Sequence, residues 1–326
     1  MKYPKFIQKD QTVGICAPSA GAGSKIEALE ESEQVLRELG YKVKETASVR
    51  KDAPRSTGPR KRAKEFDELI RDPEVRLVLA AAGGDYMLEM MPYVDFGHIE
   101  EDPKWLCGAS DPTNLLFTVT TKLDIATLYG RNGAGFALKA KKPQKDFFRI
   151  ASGDLITQRS YRRYQTFLET ITDVKKYSHE VRWIADRPID VEGRLIGGCV
   201  EVIAKLIGTG FDHTNEFIDR YRDDGIIWYL DIFNQSAYDF YMTLLQFKNA
   251  GWFRYCKAVL IGRPAFPGIE DPKLDYVKAA DKALGKIPHI CEMDIGHTKP
   301  SMTLINGAIA RVRYEEGKGL ISFKLK

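Results

Sequence analysis

The chain has 326 residues, and its 49 lysines and arginines nearly balance 45 aspartates and glutamates. At roughly 100–200 residues per domain this length predicts about two domains, and the 44% hydrophobic content is enough to bury their cores. Such a composition excludes a disordered chain and a disulfide-stapled miniprotein. The net charge of +4 lacks the concentrated basic excess of a nucleic-acid-binding protein, so we expect no nucleic-acid partner.

The amino terminus and the cysteines predict the compartment. Residues 1–10 lack the apolar segment of a signal peptide, and no stretch approaches the roughly 20 apolar residues of a membrane helix. The five cysteines are an odd number without a C-x-x-C pair, which is typical of reduced, mostly buried thiols: Cys16, Cys107, Cys199, Cys256 and Cys291. We therefore expect a soluble, cytoplasmic protein that does not associate with membranes.

The first half of the sequence alternates short apolar runs with helical periodicity, which is typical of βα units on a mainly parallel sheet. The predicted strands are 12–17, 41–44, 75–82 and 105–107, and the predicted helices are 26–39 and 60–70. The second half ends in β-rich sequence. Its predicted strands are 225–230 and 258–262, followed by β-rich pieces at 308–314 and 319–325. The run 189–198 leads into a predicted helix at 199–206, and a second helix is predicted at 237–250.

These elements predict an α/β fold with two domains. An N-terminal parallel-sheet α/β domain is expected at residues 1–155, a linker at 156–180, and a smaller, β-rich C-terminal domain at 181–326. In open α/β sheets the carboxyl ends of strands carry function, so the turns that follow the predicted strands are the candidate sites.

The first candidate is the glycine turn at 17–24, which could hold a phosphate at a helix N-terminus. It lacks the third glycine of G-x-G-x-x-G and the Gly-Lys-Ser/Thr of a P-loop, so a plain turn is the favoured interpretation. A nucleotide-binding oxidoreductase is the alternative that this turn and the βα alternation leave open.

The second candidate is Ser110, which follows the strand ending at Gly108 and precedes a helix that Pro112 begins. A sharp strand-to-helix turn exposes a nucleophilic hydroxyl above a helix N-terminus. Only half of the hydrolase pattern G-x-S-x-G is present, because Pro112 stands in place of the second glycine. An ordinary N-cap formed by Ser110 or Asp111 is an equal alternative.

Two later residues could complete a catalytic triad. Asp231 ends the apolar run 226–230, where a buried carboxylate needs a partner, although an Asp that only opens the next turn is the simpler interpretation. His297 lies in a loop beside Gly296, a suitable place for a general base. The order Ser110, Asp231, His297 is that of α/β-hydrolases, so these residues permit a serine hydrolase.

A zinc site is the alternative for the histidine loop. Its ligands would be His289, Cys291, Asp294 and His297, but their spacing matches no usual zinc pattern. We therefore expect no metal.

Several segments in order resemble landmarks of the LD-carboxypeptidase family of serine peptidases, which includes murein tetrapeptide carboxypeptidases and microcin C immunity peptidases. The resemblance runs through nearly the whole chain. Its segments are TVGICAPS at 12–19, the helix at 58–73, AGG at 82–84, GASDPT at 108–113, EGRLIGG at 192–198 with LIGT at 206–209, and DIGHTKP at 294–300.

The resemblance implies an N-terminal α/β domain and a smaller C-terminal β-rich domain with the active site between them, often in a homodimer. It implies that Ser110 is the nucleophile, that His297 is the general base, and that the backbone N–H groups of Gly84 and Asp111 form the oxyanion hole. The family's third member is a Glu, and here Asp231 is one methylene shorter. A weakly active or noncatalytic binding protein is therefore an alternative.

The resemblance also implies the chemistry and the substrates. The carboxypeptidases release a terminal D-amino acid from muropeptides during peptidoglycan recycling, whereas the immunity peptidases cut the amide between a peptidyl aspartate and a modified nucleotide. We predict a serine carboxypeptidase that acts on muropeptides without a cofactor, with the peptidyl-nucleotide as the alternative substrate. Both substrates are anionic, so the candidate binding residues are Gly83 and three unranked arginines: Arg131, Arg194 and Arg263.

Overall fold

The computed structural model describes residues 1–136, 142–172, 177–267 and 273–326. The chain forms two compact units. The first comprises residues 1–154 with 303–306, and the second comprises residues 155–302 with 307–326. Within the described ranges, no helix is long and apolar enough to cross a membrane.

The described strands and helices follow in chain order. The strands are β1 (Thr12–Cys16), β2 (Lys42–Glu45), β3 (Val75–Ala80), β4 (Trp105–Gly108), β5 (Thr127–Tyr129), β6 (Gln158–Arg159), β7 (Arg163–Tyr164), β8 (His179–Glu180), β9 (Ile189–Cys199), β10 (Ile226–Asp231), β11 (Cys256–Gly262), β12 (His289–Met293), β13 (Leu304–Asn306), β14 (Ile309–Glu315) and β15 (Lys318–Lys324). The helices are α1 (Ile26–Glu38), α2 (Pro59–Ile70), α3 (Met87–Met90), α4 (Phe96–Glu101), α5 (Thr113–Leu123), α6 (Lys142–Ala151), α7 (Phe167–Ile171), α8 (Val200–Ala204), α9 (Thr214–Arg220), α10 (Ala237–Asn249) and α11 (Tyr276–Leu284).

The first unit contains a six-stranded sheet with the order β13-β5-β4-β3-β1-β2. All neighbours from β2 to β5 are parallel, and only β13 is antiparallel. Strands β1 and β4 are buried along their whole length, which is why they appear in the sequence as uninterrupted apolar runs. The predicted parallel N-terminal sheet is confirmed.

The second unit contains a seven-stranded mixed sheet with the order β12-β11-β10-β9-β14-β15-β6. Strands β9 to β12 are parallel, and β14, β15 and β6 continue the sheet in antiparallel pairs. The central strand β10 is fully buried, and Trp228 on it stacks on Trp252 with ring centroids 5.5 Å apart. The central strand places Asp231 at its carboxyl end.

The second unit differs from the expectation of a smaller, β-rich domain, because it is slightly longer than the first unit and carries its own helices. Helices α10 and α11 connect the parallel strands β10, β11 and β12, so this unit is itself an α/β structure extended by antiparallel strands. The apolar strands and the helical periodicity of this half were visible in the sequence. The parallel pairing of the strands was not.

The segment predicted as a linker, 156–180, is structured in its described residues. Strand β6 joins the edge of the second sheet through Gln158, which pairs with Ile321 and is 1% exposed. Strands β7 and β8 pair with each other on either side of α7. Residues 173–176 of the predicted linker lie outside the described part. Edge pairing gives this polar segment an ordered backbone that its composition does not predict.

All five cysteines are free thiols, and Cys256 alone among them is half-buried rather than buried. Burial raises the pKa of Cys16, Cys107 and Cys256 to about 12. These thiols are therefore protonated at neutral pH and poor nucleophiles, and this includes Cys107 on the strand that leads to Ser110.

Candidate active site

Ser110 lies on a tight turn between β4 and α5. Its backbone is in the left-handed region, with φ of 68°, which is uncommon for a residue with a side chain and marks strained turns at functional sites. A Cβ added at Gly108 would lie 2.6 Å from the Pro112 Cβ, so the turn closes only because residue 108 is glycine. The half-exposed hydroxyl of Ser110 is thus presented at the end of a central strand, where α5 begins.

The side chain of Asp111 is buried beneath this turn, with 4% exposure. Its Oδ2 accepts hydrogen bonds from the Met87 backbone N–H at 2.8 Å and from the Ser19 hydroxyl. Its Oδ1 accepts a hydrogen bond from Asn114 Nδ2 at 2.9 Å. The Asp111 carboxylate therefore connects the nucleophile turn to two other segments of the same unit, those of Ser19 and Met87.

The turn that contains Gly83 and Gly84 passes directly beside Ser110. A Cβ at Gly83 would lie 3.0 Å from the Ser110 Cβ, and a Cβ at Gly84 would lie 2.4 Å from Ser19 Oγ. Gly84 also has φ of 138°, a backbone conformation that side chains oppose. Both glycines are required for this close approach, and both are half-exposed.

Two further residues contact the turn and were not predicted from the sequence, Tyr129 and Asn132. Asn132 Oδ1 accepts from the Ala109 backbone N–H at 2.9 Å, and its Nδ2 donates to the Ala109 carbonyl at 3.3 Å. The Tyr129 hydroxyl accepts from the Ser110 backbone N–H at 3.2 Å. Tyr129 ends β5 and Asn132 lies three residues later, and this strand is too short to predict from the sequence. The polar residues after its short apolar run were nevertheless a usable signal.

Asp231 and His297 are brought together within the second unit. Asp231 is fully buried at the end of β10, and its Oδ2 lies 2.8 Å from His297 Nδ1. The backbone N–H of His297 also donates to Asp231 Oδ1 at 3.3 Å. A proton on Nδ1 held by this carboxylate leaves Nε2 as the basic nitrogen. The shorter Asp side chain, which departs from the family's Glu, therefore does reach the histidine.

Gly296 makes this contact possible. A Cβ at this position would lie 1.8 Å from Asp231 Oδ1, and its φ is 93°. The histidine loop can therefore approach the short carboxylate closely because its backbone carries no side chain there.

Gly296→Ala is expected to separate His297 from Asp231 and to lower turnover by roughly tenfold to a hundredfold, since about 1 Å of misplacement can cost this much. The matched control is Gly285→Ala, which also has a positive φ, 59°, but meets nothing within 4 Å. Steady-state kinetics and thermal unfolding of both variants check the prediction. Equal activity in the two variants would contradict it, since the control shares only the backbone strain.

Glu201 and Phe233 support the same region and were also missed. Glu201 Oε1 accepts hydrogen bonds from three consecutive backbone N–H groups that follow Asp231, at 2.9, 2.8 and 3.0 Å: Phe233, Asn234 and Gln235. The Phe233 ring lies 4.5 Å from the His297 ring between centroids. Phe167 and Phe266 pack edge-to-face with Phe233, at 5.5 and 5.3 Å. An aromatic cluster thus borders the imidazole.

Arg194 and Arg263, two of the predicted substrate-binding arginines, are used internally. Arg194 is 3% exposed and pairs with Asp224, and its partner on β10 is Ile226, at the opposite end of that strand from Asp231. At about 3.3 Å per residue these ends are roughly 16 Å apart. Arg194 is therefore held far from the Asp231 end of the sheet.

Arg263, also 3% exposed, forms an ion pair with the buried Asp294 and stacks on Tyr164, with its guanidinium carbon 4.3 Å from the ring centroid. The half-buried Asp224 and the buried Asp294 already pair with these two guanidiniums, so these contacts do not favour the predicted substrate-binding role of Arg194 or Arg263.

Arg131 differs from the other two arginines. It is half-exposed and follows β5, its Nη1 donates to the Gly135 carbonyl at 3.0 Å, and the next residue is Asn132, which binds the nucleophile turn. Of the three predicted arginines, Arg131 alone is half-exposed, and its neighbour Asn132 contacts the nucleophile turn.

The zinc and nucleotide alternatives do not fit the side-chain contacts. In the described part of the chain no three His, Cys, Asp or Glu residues form a group that could hold a metal. His289 pairs with Asp281 at 2.9 Å, whereas His297 pairs with Asp231. At the predicted phosphate turn, a Cβ on Gly21 would lie 2.3 Å from the Lys51 carbonyl oxygen. The Ala22 and Gly23 backbone N–H groups of this turn already donate to the Val49 and Lys51 carbonyls, at 2.6 and 3.3 Å, so these two N–H groups are not left for a phosphate.

The chain belongs to the LD-carboxypeptidase family, peptidase family S66, and this membership implies a serine hydrolase. The sequence model of the family's N-terminal domain matches residues 13–130, and that of its C-terminal domain matches residues 192–312. The predicted family resemblance is confirmed.

Relatives in this family include carboxypeptidases and immunity proteins. A probable murein peptide carboxypeptidase of Bacillus subtilis is 26% identical, covering 98% of this chain and 93% of the relative. The structure of microcin C7 self-immunity protein MccF superposes with a TM-score of 0.86 at 20% identity over 100% of both chains. A muramoyltetrapeptide carboxypeptidase from Oxalobacter formigenes gives a TM-score of 0.76 at 20% identity, covering 96% of this chain and 98% of that one. MccF has also been solved with aspartyl sulfamoyl adenosine.

Proposed function

We propose that the chain is a serine carboxypeptidase in which Ser110 is the nucleophile, His297 the general base and Asp231 the residue that orients His297. The observation that carries the proposal is the fully buried Asp231 carboxylate, 2.8 Å from His297 Nδ1. A carboxylate is costly to bury, and its pairing with a loop histidine is the arrangement that prepares Nε2 for proton transfer. The strained backbone of Ser110 supports the nucleophile assignment.

In the proposed reaction, Ser110 Oγ attacks the carbonyl carbon of the scissile amide while His297 Nε2 takes the hydroxyl proton. This requires Ser110 Oγ to come within hydrogen-bond reach of His297 Nε2. The tetrahedral oxyanion is stabilised by the backbone N–H groups of Gly84 and Asp111. His297 then protonates the departing amine, and a water activated by the same histidine hydrolyses the acyl-Ser110 ester.

The favoured substrate is a muropeptide, from which the enzyme releases a terminal D-alanine. Its support is the probable murein peptide carboxypeptidase among the relatives, together with the half-exposed Arg131, a cation beside the residue that contacts the nucleophile turn. The second candidate substrate is a peptidyl-nucleotide amide. The aromatic cluster of Phe167, Phe233 and Phe266 beside His297 favours it, since aromatic side chains stack on bases.

Mass spectrometry of the purified protein with each substrate tests the proposal. With a murein tetrapeptide we expect loss of the terminal D-alanine to yield the tripeptide. With an aspartyl sulfamoyl adenosine, the alternative predicts free aspartate and the sulfamoyl nucleoside. Cleavage of the second compound only would assign the immunity-type activity, and cleavage of neither would overturn the proposed peptidase.

A further inference from the structure

The hydroxyl of Ser19 lies at a junction of three segments in the first unit. Ser19 follows β1 and is fully buried. Its hydroxyl donates to Asp111 Oδ2 on the nucleophile turn and accepts from the Tyr86 backbone N–H at 3.3 Å, just after the double-glycine turn. A single hydroxyl therefore connects the segment carrying Ser110 to the segment carrying Gly84.

The neighbouring contacts reinforce this junction. The same Asp111 Oδ2 also accepts from the Met87 N–H at 2.8 Å, and the Ala20 N–H donates to the Gly83 carbonyl at 3.1 Å. Gly84 packs so closely on Ser19 that an added Cβ would lie 2.4 Å from the hydroxyl oxygen. The glycine turn is consequently held against Ser19, and the segment that follows it is held to Asp111 through the Met87 N–H.

This geometry matters because the two proposed oxyanion donors, Gly84 N–H and Asp111 N–H, lie on different segments. An oxyanion hole works only when its donors are fixed in advance at the right separation. The backbone between Gly84 and Asp111 spans many residues, so the chain itself does not set that separation. Two buried hydrogen bonds to Asp111 Oδ2, from the Ser19 hydroxyl and from the Met87 N–H, link the two segments, and Ser19 is the residue of these two that also packs against Gly84.

We propose that Ser19 is a positioning residue that sets the relative placement of the two oxyanion donors. The inference rests on the proposed function, because it presumes that Ser110 attacks an electrophile whose oxygen these donors bind. In Ser19→Ala, Asp111 loses a hydrogen-bond donor and the Tyr86 N–H loses an acceptor. The glycine segment is then linked to Asp111 through the Met87 N–H without the Ser19 hydroxyl, so the glycine turn can shift relative to the nucleophile turn.

Ser56 provides a matched control. It is also buried, with 2% exposure, and its hydroxyl donates to the Ala17 carbonyl at 2.8 Å. Ser56→Ala therefore removes one buried serine hydroxyl from the same region without touching Asp111 or Tyr86. Ser19→Ala loses two buried hydrogen bonds and Ser56→Ala loses one, so a general loss of stability would affect both variants.

An alkyl fluorophosphonate is the probe, because its reaction with a serine forms a tetrahedral adduct and needs no knowledge of the natural substrate. The full chain is labelled as wild type, Ser19→Ala, Ser56→Ala and Ser110→Ala. For each variant the maximal inactivation rate, the reversible inhibition constant and the unfolding midpoint are measured. We expect Ser19→Ala to lower the maximal rate by roughly 10- to 100-fold, by analogy with loss of one oxyanion donor, with little change in the inhibition constant.

The outcomes separate the two hypotheses. Equal maximal inactivation rates in Ser19→Ala and Ser56→Ala would overturn the positioning role. The serine hydrolase itself would still be supported if wild type is labelled and Ser110→Ala is not. Absence of labelling in wild type, or equal labelling of Ser110→Ala, would overturn the proposed function and the inference with it. If Ser19→Ala does not fold, Ser19→Cys carries the test, because a thiol is a weaker donor to Asp111 Oδ2 and a weaker acceptor from the Tyr86 N–H than the hydroxyl is. A fall in maximal rate is then expected, and wild-type labelling of folded Ser19→Cys would contradict the role.

Discussion

Ser110→Ala is expected to lower amide hydrolysis by about 10³-fold or more, since removal of a triad nucleophile leaves only the catalysis of binding and the oxyanion hole. The free energy of unfolding should change by less than about 1 kcal/mol, because the half-exposed hydroxyl fills no core position. Tripeptide release from the tetrapeptide, followed by mass spectrometry, and denaturant unfolding measure the two effects.

Ser110→Gly sharpens this prediction. The backbone at residue 110 has φ of 68°, which glycine adopts without the cost that a side chain imposes. We expect this variant to be inactive yet more stable than Ser110→Ala by about 1 kcal/mol. The control is Ser152→Ala, which removes an exposed hydroxyl from the same unit and should leave activity unchanged. Turnover retained in either variant of residue 110 would assign the nucleophile elsewhere.

Asp231→Asn is the second variant with a large expected effect, a fall in kcat of about 10³- to 10⁴-fold. The amide keeps the size of the side chain but turns an N–H group toward His297 Nδ1, so the imidazole is held in the wrong tautomer or released. Asp231 is fully buried, and His297 is its partner at 2.8 Å, so solvent cannot replace the lost charge. Single-turnover rates with the tetrapeptide measure the chemical step directly.

Asp190→Asn is the matched control for charge removal in the second unit. Asp190 is about half-exposed and pairs with Arg311 at 2.9 Å, so its loss should leave kcat unchanged.

Asp231→Glu is a further variant, which introduces the longer side chain that the family resemblance implies. We expect it to lower activity, because Gly296 already packs against the carboxylate with no room for a methylene. Wild-type activity in Asp231→Asn would support the noncatalytic interpretation of this carboxylate.

Several strands could be predicted because they are buried along most of their length. Residues 12–17 and 75–82 appear as apolar runs interrupted only by Thr12 and Arg76 for this reason, and the structure has β1 and β3 there. Strands β5 and β13 could not be predicted, since each has three residues. They are also far apart in the sequence, and each owes part of its order to pairing with the other. The short strand β6 owes its order to its pairing with β15.

The candidate site was predicted unequally. Ser110, Asp231 and His297 were singled out by strand ends, glycine turns and the family resemblance. Arginines were not distinguishable, because a guanidinium that pairs with its own chain's carboxylate, as Arg263 does with Asp294, has the same sequence context as one that binds a substrate. Asn132, Glu201 and Ser19 act through hydrogen bonds to distant segments, which no local pattern encodes.

The sequence by itself determined the secondary structure of the buried strands, the family, and the residue types available for chemistry, because each depends on local apolar periodicity or on short motifs. The tertiary structure decided that Asp231 reaches His297 despite its shorter side chain, and that Ser19 joins Asp111 to the glycine turn. Both depend on close approach of segments far apart in the chain. Such approach is set by packing at glycines such as Gly296 and Gly84, where an added Cβ would collide with the partner side chain.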